Sequence, residues 1–203
     1  RNALWGISGY DASPTIDHCV VENNGIAENN DFSAGTGMYF DKSTALITDC
    51  VFRGNQARGG AGATFSVSSN VRLERCLFTG NTATASGGGL VVGNHSQVTL
   101  VDCLVTDNTA GEYGGGIYCQ GDAMSKTGGA ITGNSAIQEG GGVGIRGALL
   151  GVQLEGVLVT ENIAPEGPQG NVSPYSGEVV LVCCETDIEG WAGPLTVDND
   201  GCD

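Results

Sequence analysis

Short runs that alternate apolar and polar residues recur along the chain, separated by Gly and Asn. One set is Val71-Arg-Leu73, Val98-Thr-Leu100 and Val152-Gln-Leu154. A second set lies within the pattern Cys-x-apolar-x-x-Asn. It reads Cys19-Val-Val-Glu-Asn-Asn24, Cys50-Val-Phe-Arg-Gly-Asn55, Cys76-Leu-Phe-Thr-Gly-Asn81 and Cys103-Leu-Val-Thr-Asp-Asn108. It continues without Cys as Gly129-Ala-Ile-Thr-Gly-Asn134 and Val157-Leu-Val-Thr-Glu-Asn162, and the Asn-to-Asn steps are 31, 26, 27, 26 and 28. A third run follows Gly60-Ala-Gly-Ala63, Gly87-Gly-Gly-Leu90, Gly114-Gly-Gly-Ile117 and Gly140-Gly-Gly-Val143. Alternation is the strand period, and no stretch keeps a helical period long enough to cross over between parallel strands.

Three short strands per repeat predict a coil that stacks on its own copy. The expected fold is all-β: a right-handed parallel β-helix with three parallel sheets and about six to seven coils. The solenoid is expected over 1–182, with a loop-like tail over 183–203 packed on or capping the last coil. Equivalent residues should form inward ladders. These are Cys19/Cys50/Cys76/Cys103, Val21/Phe52/Phe78/Val105/Ile131/Val159 and Phe65/Val92/Cys119/Ile145. The repeated Asn sits at a turn, where its amide can bond backbone and stack on the next Asn, and where it tolerates left-handed geometry. Two places strain the pattern. Glu28-Asn-Asn-Asp31 should bulge as a loop, and Lys126 falls on or beside an inward position, so its strand should be distorted or shifted.

Composition narrows the function. There are 35 Gly without a Gly-X-Y period, which excludes collagen, and 40% hydrophobic residues, enough for a core. The formal charge of −15 repels nucleic acid and anionic membranes. No apolar run approaches the ~20 residues of a membrane helix, so membrane insertion is not expected.

Of the eight Cys, four follow the repeat, while Cys119, Cys183, Cys184 and Cys202 do not. The laddered four read as buried thiols serving as small core residues. Cys202 is expected to pair with Cys183 or Cys184 and pin the tail. The tail Asp198-Asn-Asp-Gly-Cys-Asp203 has the start of a calcium loop, making Asp198, Asp200 and Asp203 the candidate Ca²⁺ ligands.

The residues preceding the Cys ladder are His18, Asp49, Arg75 and Asp102. A polysaccharide lyase would use such a run as carboxylates on Ca²⁺ with Arg75 as base. The competing reading is an alternating surface charge ladder on adjacent coils, and this is the one expected. With only His18 and His95, a histidine metal site or triad is not expected. The glycine runs open no helix and carry no Gly-Lys-Ser/Thr, so they are turns and not phosphate loops. An outward ladder, Val51/Leu77/Leu104/Ala130/Leu158 beside Thr79/Thr106/Thr132/Thr160, makes an apolar and Thr face.

Phe52-Arg-Gly-Asn55, Phe78-Thr-Gly-Asn81 and the glycine triplets at 87–89, 114–116 and 140–142 resemble the polymorphic outer-membrane protein repeats of surface adhesins. Ser13-Pro-Thr-Ile-Asp-His-Cys19 and Val182-Cys-Cys-Glu-Thr-Asp-Ile-Glu-Gly-Trp191 resemble segments of secreted bacterial β-helix repeat proteins. The resemblance implies a β-helix at the cell surface or outside the cell. The expected function is an extracellular structural or adhesive module and not an enzyme. The alternative is a glycan-binding or Ca²⁺-dependent lyase-like β-helix. Gly6-Ile7 already resembles the strand after a glycine triplet, so the expected partner is another copy, stacked head to tail into filaments, or the rest of a longer β-helix. A glycan is the other partner considered.

Overall fold

A computed structural model describes residues 5–25, 37–148, 150–166, 170, 172–176, 178–186, 195–198 and 202. Among them there is no helix, and every strand pairing is parallel. The strands following the glycine runs form a seven-stranded sheet from Ile7–Tyr10 through Leu90–Val92 to Val172–Ser176. The alternating runs form an eight-stranded sheet from Thr15–Asp17 through Gln97–Val101 to Leu195–Asp198. The Cys-to-Asn runs form a second seven-stranded sheet from Val20–Glu22 to Glu185–Thr186. A fourth, short sheet was not expected. Gln56–Ala57, Thr82–Ala83, Thr109–Ala110 and Ser135–Ala136 pair just beyond the Asn turn, too briefly to show a period in sequence.

The inward ladders fall in register as expected: Val21, Phe52, Phe78, Val105, Ile131 and Val159 pair in turn. Phe52 and Phe78 stack with ring centroids 4.6 Å apart. Phe65, Val92, Cys119 and Ile145 form the matching ladder across the core.

Three of the corners that turn the chain use the same device. A residue with positive φ precedes a small or polar residue that faces inward. His18, Asp49, Arg75 and Asp102 precede the Cys ladder, with φ of 50, 52, 50 and 49°. Lys42, Ser68 and His95 precede Ser43, Ser69 and Ser96, and Asn23, Gly54, Gly80, Asp107, Gly133 and Glu161 precede the Asn ladder. The left-handed residue is therefore the one before Asn, not the Asn itself. After each such turn the next N–H leaves the sheet pattern and needs an acceptor. The equivalent side chain of the following coil supplies it: Ser43 N–H bonds Ser69 Oγ at 3.2 Å, Ser69 N–H bonds Ser96 Oγ at 3.1 Å, and Cys19 N–H bonds Cys50 Sγ at 3.3 Å.

Lys126 does not distort its strand. Ala123–Thr127 pairs residue for residue with Gln97–Val101, and Lys126 stands between Leu100 and Leu154 in an inward ladder, 1% exposed. Its Nζ donates to the carbonyls of Cys103 at 2.8 Å and Gly128 at 2.5 Å. Room exists because the Cys ladder is broken at Gly129, which carries no side chain, and a Cβ there would lie 2.3 Å from that same Cys103 oxygen.

The tail is not wholly loop-like: Glu185–Thr186 pairs with Leu158–Thr160 and Leu195–Asp198 with Val179–Val182, adding rungs to two sheets. That register also places Cys184 one coil beyond Val157 in the Cys ladder, so Cys184 belongs to the repeat after all. The expected bulge at Glu28–Asp31 lies outside the described residues.

Candidate functional site

The run His18, Asp49, Arg75, Asp102 occupies one corner on successive coils, and the positive φ of each residue turns its side chain away from the core. Arg75 grips Asp49 with two bonds, Nε to Oδ1 at 2.8 Å and Nη2 to Oδ2 at 2.6 Å, and reaches Glu74 at 3.2 Å. Arg72 takes the other oxygen of Glu74 at 2.6 Å. One coil earlier, Asp17 accepts from Thr48 Oγ1 at 2.5 Å and pairs with His18 Nδ1 at 2.7 Å.

These pairings dictate the titration. Hydrogen bonds from Arg75 hold the Asp49 carboxyl below its ordinary value, and Thr48 and then His18 do the same for Asp17. The Asp17 bond raises His18. Asp49 and then Glu74 push Arg75 further above an already high value. In this arrangement the Arg75 guanidinium is engaged by Asp49 and Glu74 in ion pairs. The structure unites Asp49 with Arg75 and places Asp102 a coil further on, beside Gly128. Asp17, His18 and Asp49 offer ligand atoms within 4.8 Å of one another, but both oxygens of Asp49 are engaged by the guanidinium.

In the tail, Cys202 pairs with Cys183 and not Cys184, with Cα atoms 5.3 Å apart. Asp198 is exposed and its carbonyl accepts from the Cys183 N–H at 3.0 Å. Asp200 and Asp203, the other candidate calcium ligands, lie outside the described residues.

A concave feature that sequence reasoning missed runs along the outer face of the eight-stranded sheet. Asn70, Gln97, Thr99, Ser125 and Gln153 line its floor from four consecutive coils, with Glu178 on one wall. Leu150, 73% exposed, forms a lip, held where its N–H bonds the Asp122 carbonyl at 2.7 Å. Ser125 Oγ donates to Thr99 Oγ1 at 3.3 Å, leaving a surface of amides and hydroxyls. The signal was present in sequence as polar residues at the outward positions of Val98-Thr-Leu100 and Val152-Gln-Leu154. Such residues are also what any solvated strand shows, so only the company of Leu150 and Glu178 marks them as a groove.

The apolar and Thr face is in place on the neighbouring sheet. Val51, Leu77, Leu104, Ala130 and Leu158 stand in register, and Thr106 Oγ1 bonds Thr79 Oγ1 at 3.2 Å. No helix among the described residues is long and apolar enough to cross a membrane.

Comparison with known proteins agrees with this architecture. No curated protein and no solved structure matches the chain. Residues 2–138 match the family model described as a right-handed beta helix region. With its register, corners and inward ladders, the chain belongs to the right-handed β-helix family.

Proposed function

We propose that this chain is an extracellular structural and adhesive module that binds a glycan without cleaving it. The observation that carries the reading is the groove on the eight-stranded sheet. Its lining sets neutral amide and hydroxyl side chains and the Glu178 carboxylate among the apolar Ala123, Leu150 and Val180 on a parallel lattice. Amides and hydroxyls donate and accept in pairs, which suits a hydroxyl-rich ligand. The chain's −15 charge disfavours an acidic polysaccharide and favours a neutral one. The Cys183–Cys202 bridge fits an oxidising compartment outside the cytosol.

Calorimetry against a panel of neutral and acidic oligosaccharides tests this. Binding of a neutral oligosaccharide that weakens in Gln97→Ala and Gln153→Ala, with no new sugar ends released, is the expected result. New reducing or unsaturated ends that vanish in Glu178→Gln or Arg75→Ala would establish the lyase or hydrolase alternative instead.

Self-association is a second reading, supported by strand edges. Ile7–Tyr10, Thr15–Asp17 and Val20–Glu22 pair on one side only among the described residues, with Tyr10 and Val20 largely exposed. Unpaired edges of this kind accept another coil, from a second copy or from further chain. Light scattering over a concentration series reports it as growth in mass, and a constant monomer mass removes it.

A further inference from the structure

The polar residues of the groove lie in two outward files of the eight-stranded sheet, and one of these files is interrupted. Gln97 pairs with Asn70 on one side and with Ala123 on the other. The pairs Met124–Val152 and Val152–Val179 set Gly151 and then Glu178 next in the same file. The file therefore runs from two amides, through a methyl group and a bare backbone position, to a carboxylate. Gly151 is held to that role: its φ is +88°, and a Cβ there would lie 2.9 Å from the Glu178 carbonyl oxygen. From Gln97 to Glu178 is three strand spacings, roughly 14 Å. Alongside this gap the second file keeps the polar side chains Thr99, Ser125 and Gln153.

Charge distinguishes one end of the gap from the other. Glu178 is the only charged residue lining the groove. Thr196 Oγ1 donates to its Oε1 at 3.4 Å, and among the described residues no Lys, Arg or His forms an ion pair with it. A ligand that spans the gap thus meets neutral donors and acceptors at Gln97, Ser125 and Gln153, and a carboxylate that only accepts at Glu178. The complement to that order is a hydroxyl-bearing ring with a cationic donor at one position. The −15 charge of the chain works in the same sense, since it draws cations toward the surface.

We infer that the groove selects an amino sugar: an oligosaccharide with a free ammonium group, its ring over Ala123 and Gly151, its ammonium on Glu178 and its hydroxyls on Gln97, Ser125 and Gln153. This rests on the glycan-binding reading above and narrows it. An ammonium brings three donors to a carboxylate, and hydrogen bonds in which both partners are charged are stronger than those between neutral groups. N-acetylation of the same sugar removes the charge and leaves Glu178 facing an amide. Leu150, exposed and adjacent to Gly151, offers an apolar surface to the C–H face of the ring. Ala123 and Gly151 are the residues that set specificity, because their small size keeps the gap open.

Calorimetry of the full chain in mildly acidic buffer, where the sugar amine is protonated, compares glucosamine oligomers, N-acetylglucosamine oligomers of the same length and the non-sugar polyamine spermine. The glucosamine oligomers should bind about fivefold more tightly than the acetylated ones, the scale of one partly exposed ion pair. That advantage should vanish in Glu178→Gln and shrink as salt is added. Ala123→Gln carries the amide file into the gap from an outward position and should weaken both sugars on the order of tenfold. Equal affinity for the acetylated oligomers, or binding of other neutral oligosaccharides alone, overturns the amino-sugar assignment and leaves the glycan reading standing. An advantage that persists in Glu178→Gln, or spermine binding as tightly as the glucosamine oligomers, assigns the effect to net charge and overturns it as well. Failure of every sugar, neutral ones included, removes the glycan reading itself and this inference with it.

Discussion

Asn81 and Asn108 are joined twice across one turn of the solenoid. The Oδ1 of Asn108 accepts both the side-chain amide of Asn81, at 2.9 Å, and its backbone N–H, at 3.0 Å. The Nδ2 of Asn108 in turn donates to the Phe78 carbonyl and to Asn134 Oδ1, each at 3.0 Å. The same arrangement repeats from Asn24 to Asn162. A fully buried amide is thus satisfied by its own copies, and the Asn ladder is a hydrogen-bonded spine parallel to the axis.

Removing one rung breaks bonds on both sides. In Asn108→Ala, two donors of Asn81 and the Phe78 carbonyl lose their partners inside the core. At about 1–3 kcal/mol for each orphaned buried group, the variant should lose on the order of 3–5 kcal/mol. Urea unfolding measures it. Asn108→Asp keeps the acceptor but sets a buried carboxyl group against the Phe78 and Asn134 oxygens, and should cost at least as much as the alanine variant.

Glycines that share a sequence signature should differ sharply in tolerance. A Cβ on Gly88 would lie 2.4 Å from the Gly115 oxygen and 2.5 Å from the Thr109 oxygen, both backbone atoms of the next coil. Gly80 has φ +60° but open space around its Cβ position, and its equivalents on neighbouring coils include Asn23 and Asp107. Gly88→Ala is expected to prevent stacking and leave little soluble folded protein. Gly80→Asn should cost about 1 kcal/mol or less, since Asn tolerates left-handed backbone. Expression and thermal melts of the two variants side by side distinguish these outcomes.

The Arg75–Asp49 pair, though bidentate, lies on an exposed corner. Solvent screens it, so Arg75→Ala should leave the melting temperature nearly unchanged, and raising the salt concentration should erase any remaining difference. A large salt-independent loss would show that the corner ladder is structural.

The fold was legible because the inward residues of each coil repeat one another. Val21 to Val159 can be aligned by eye, and alignment in a stacked coil is the same thing as contact. What escaped notice lacks that redundancy. The Ser43/Ser69/Ser96 ladder is short and Ser is common in loops, so its spacing does not stand out from the sequence. Cys184 was set aside because it follows a stretch broken by Pro165, Pro168 and Pro174, although it returns to register. Lys126 was expected to disrupt its strand because it contradicts the inward pattern. Its accommodation depends on Gly129 opening space on the adjacent corner, a relationship between two residues that no period expresses. The groove brings Leu150, from outside the repeated strands, beside outward residues of four coils, which is likewise invisible in a repeat.

Lys126 makes stability depend on pH in a definite direction. Burial pushes its amine from the ordinary 10.5 down to about 8, against the opposing charges of Cys103, Asp102 and Cys184. Below pH 8 the amine is charged in both folded and unfolded chains, and the folded state bears the whole desolvation cost. Between about 8 and 10.5 the unfolded chain still binds the proton and the folded chain has released it. Stability from this group therefore rises with pH across that window and is constant outside it. The shift corresponds to about 3 kcal/mol in all. Lys126→Leu matches the flanking Leu100 and Leu154 and removes the charge, so it should be more stable than the parent at pH 7 by roughly 1–3 kcal/mol. That advantage should shrink toward zero as the pH approaches 10. Urea titrations of both proteins from pH 7 to 10 give the difference directly, and a difference that stays flat or widens with pH would show that Lys126 keeps an ordinary amine within the fold.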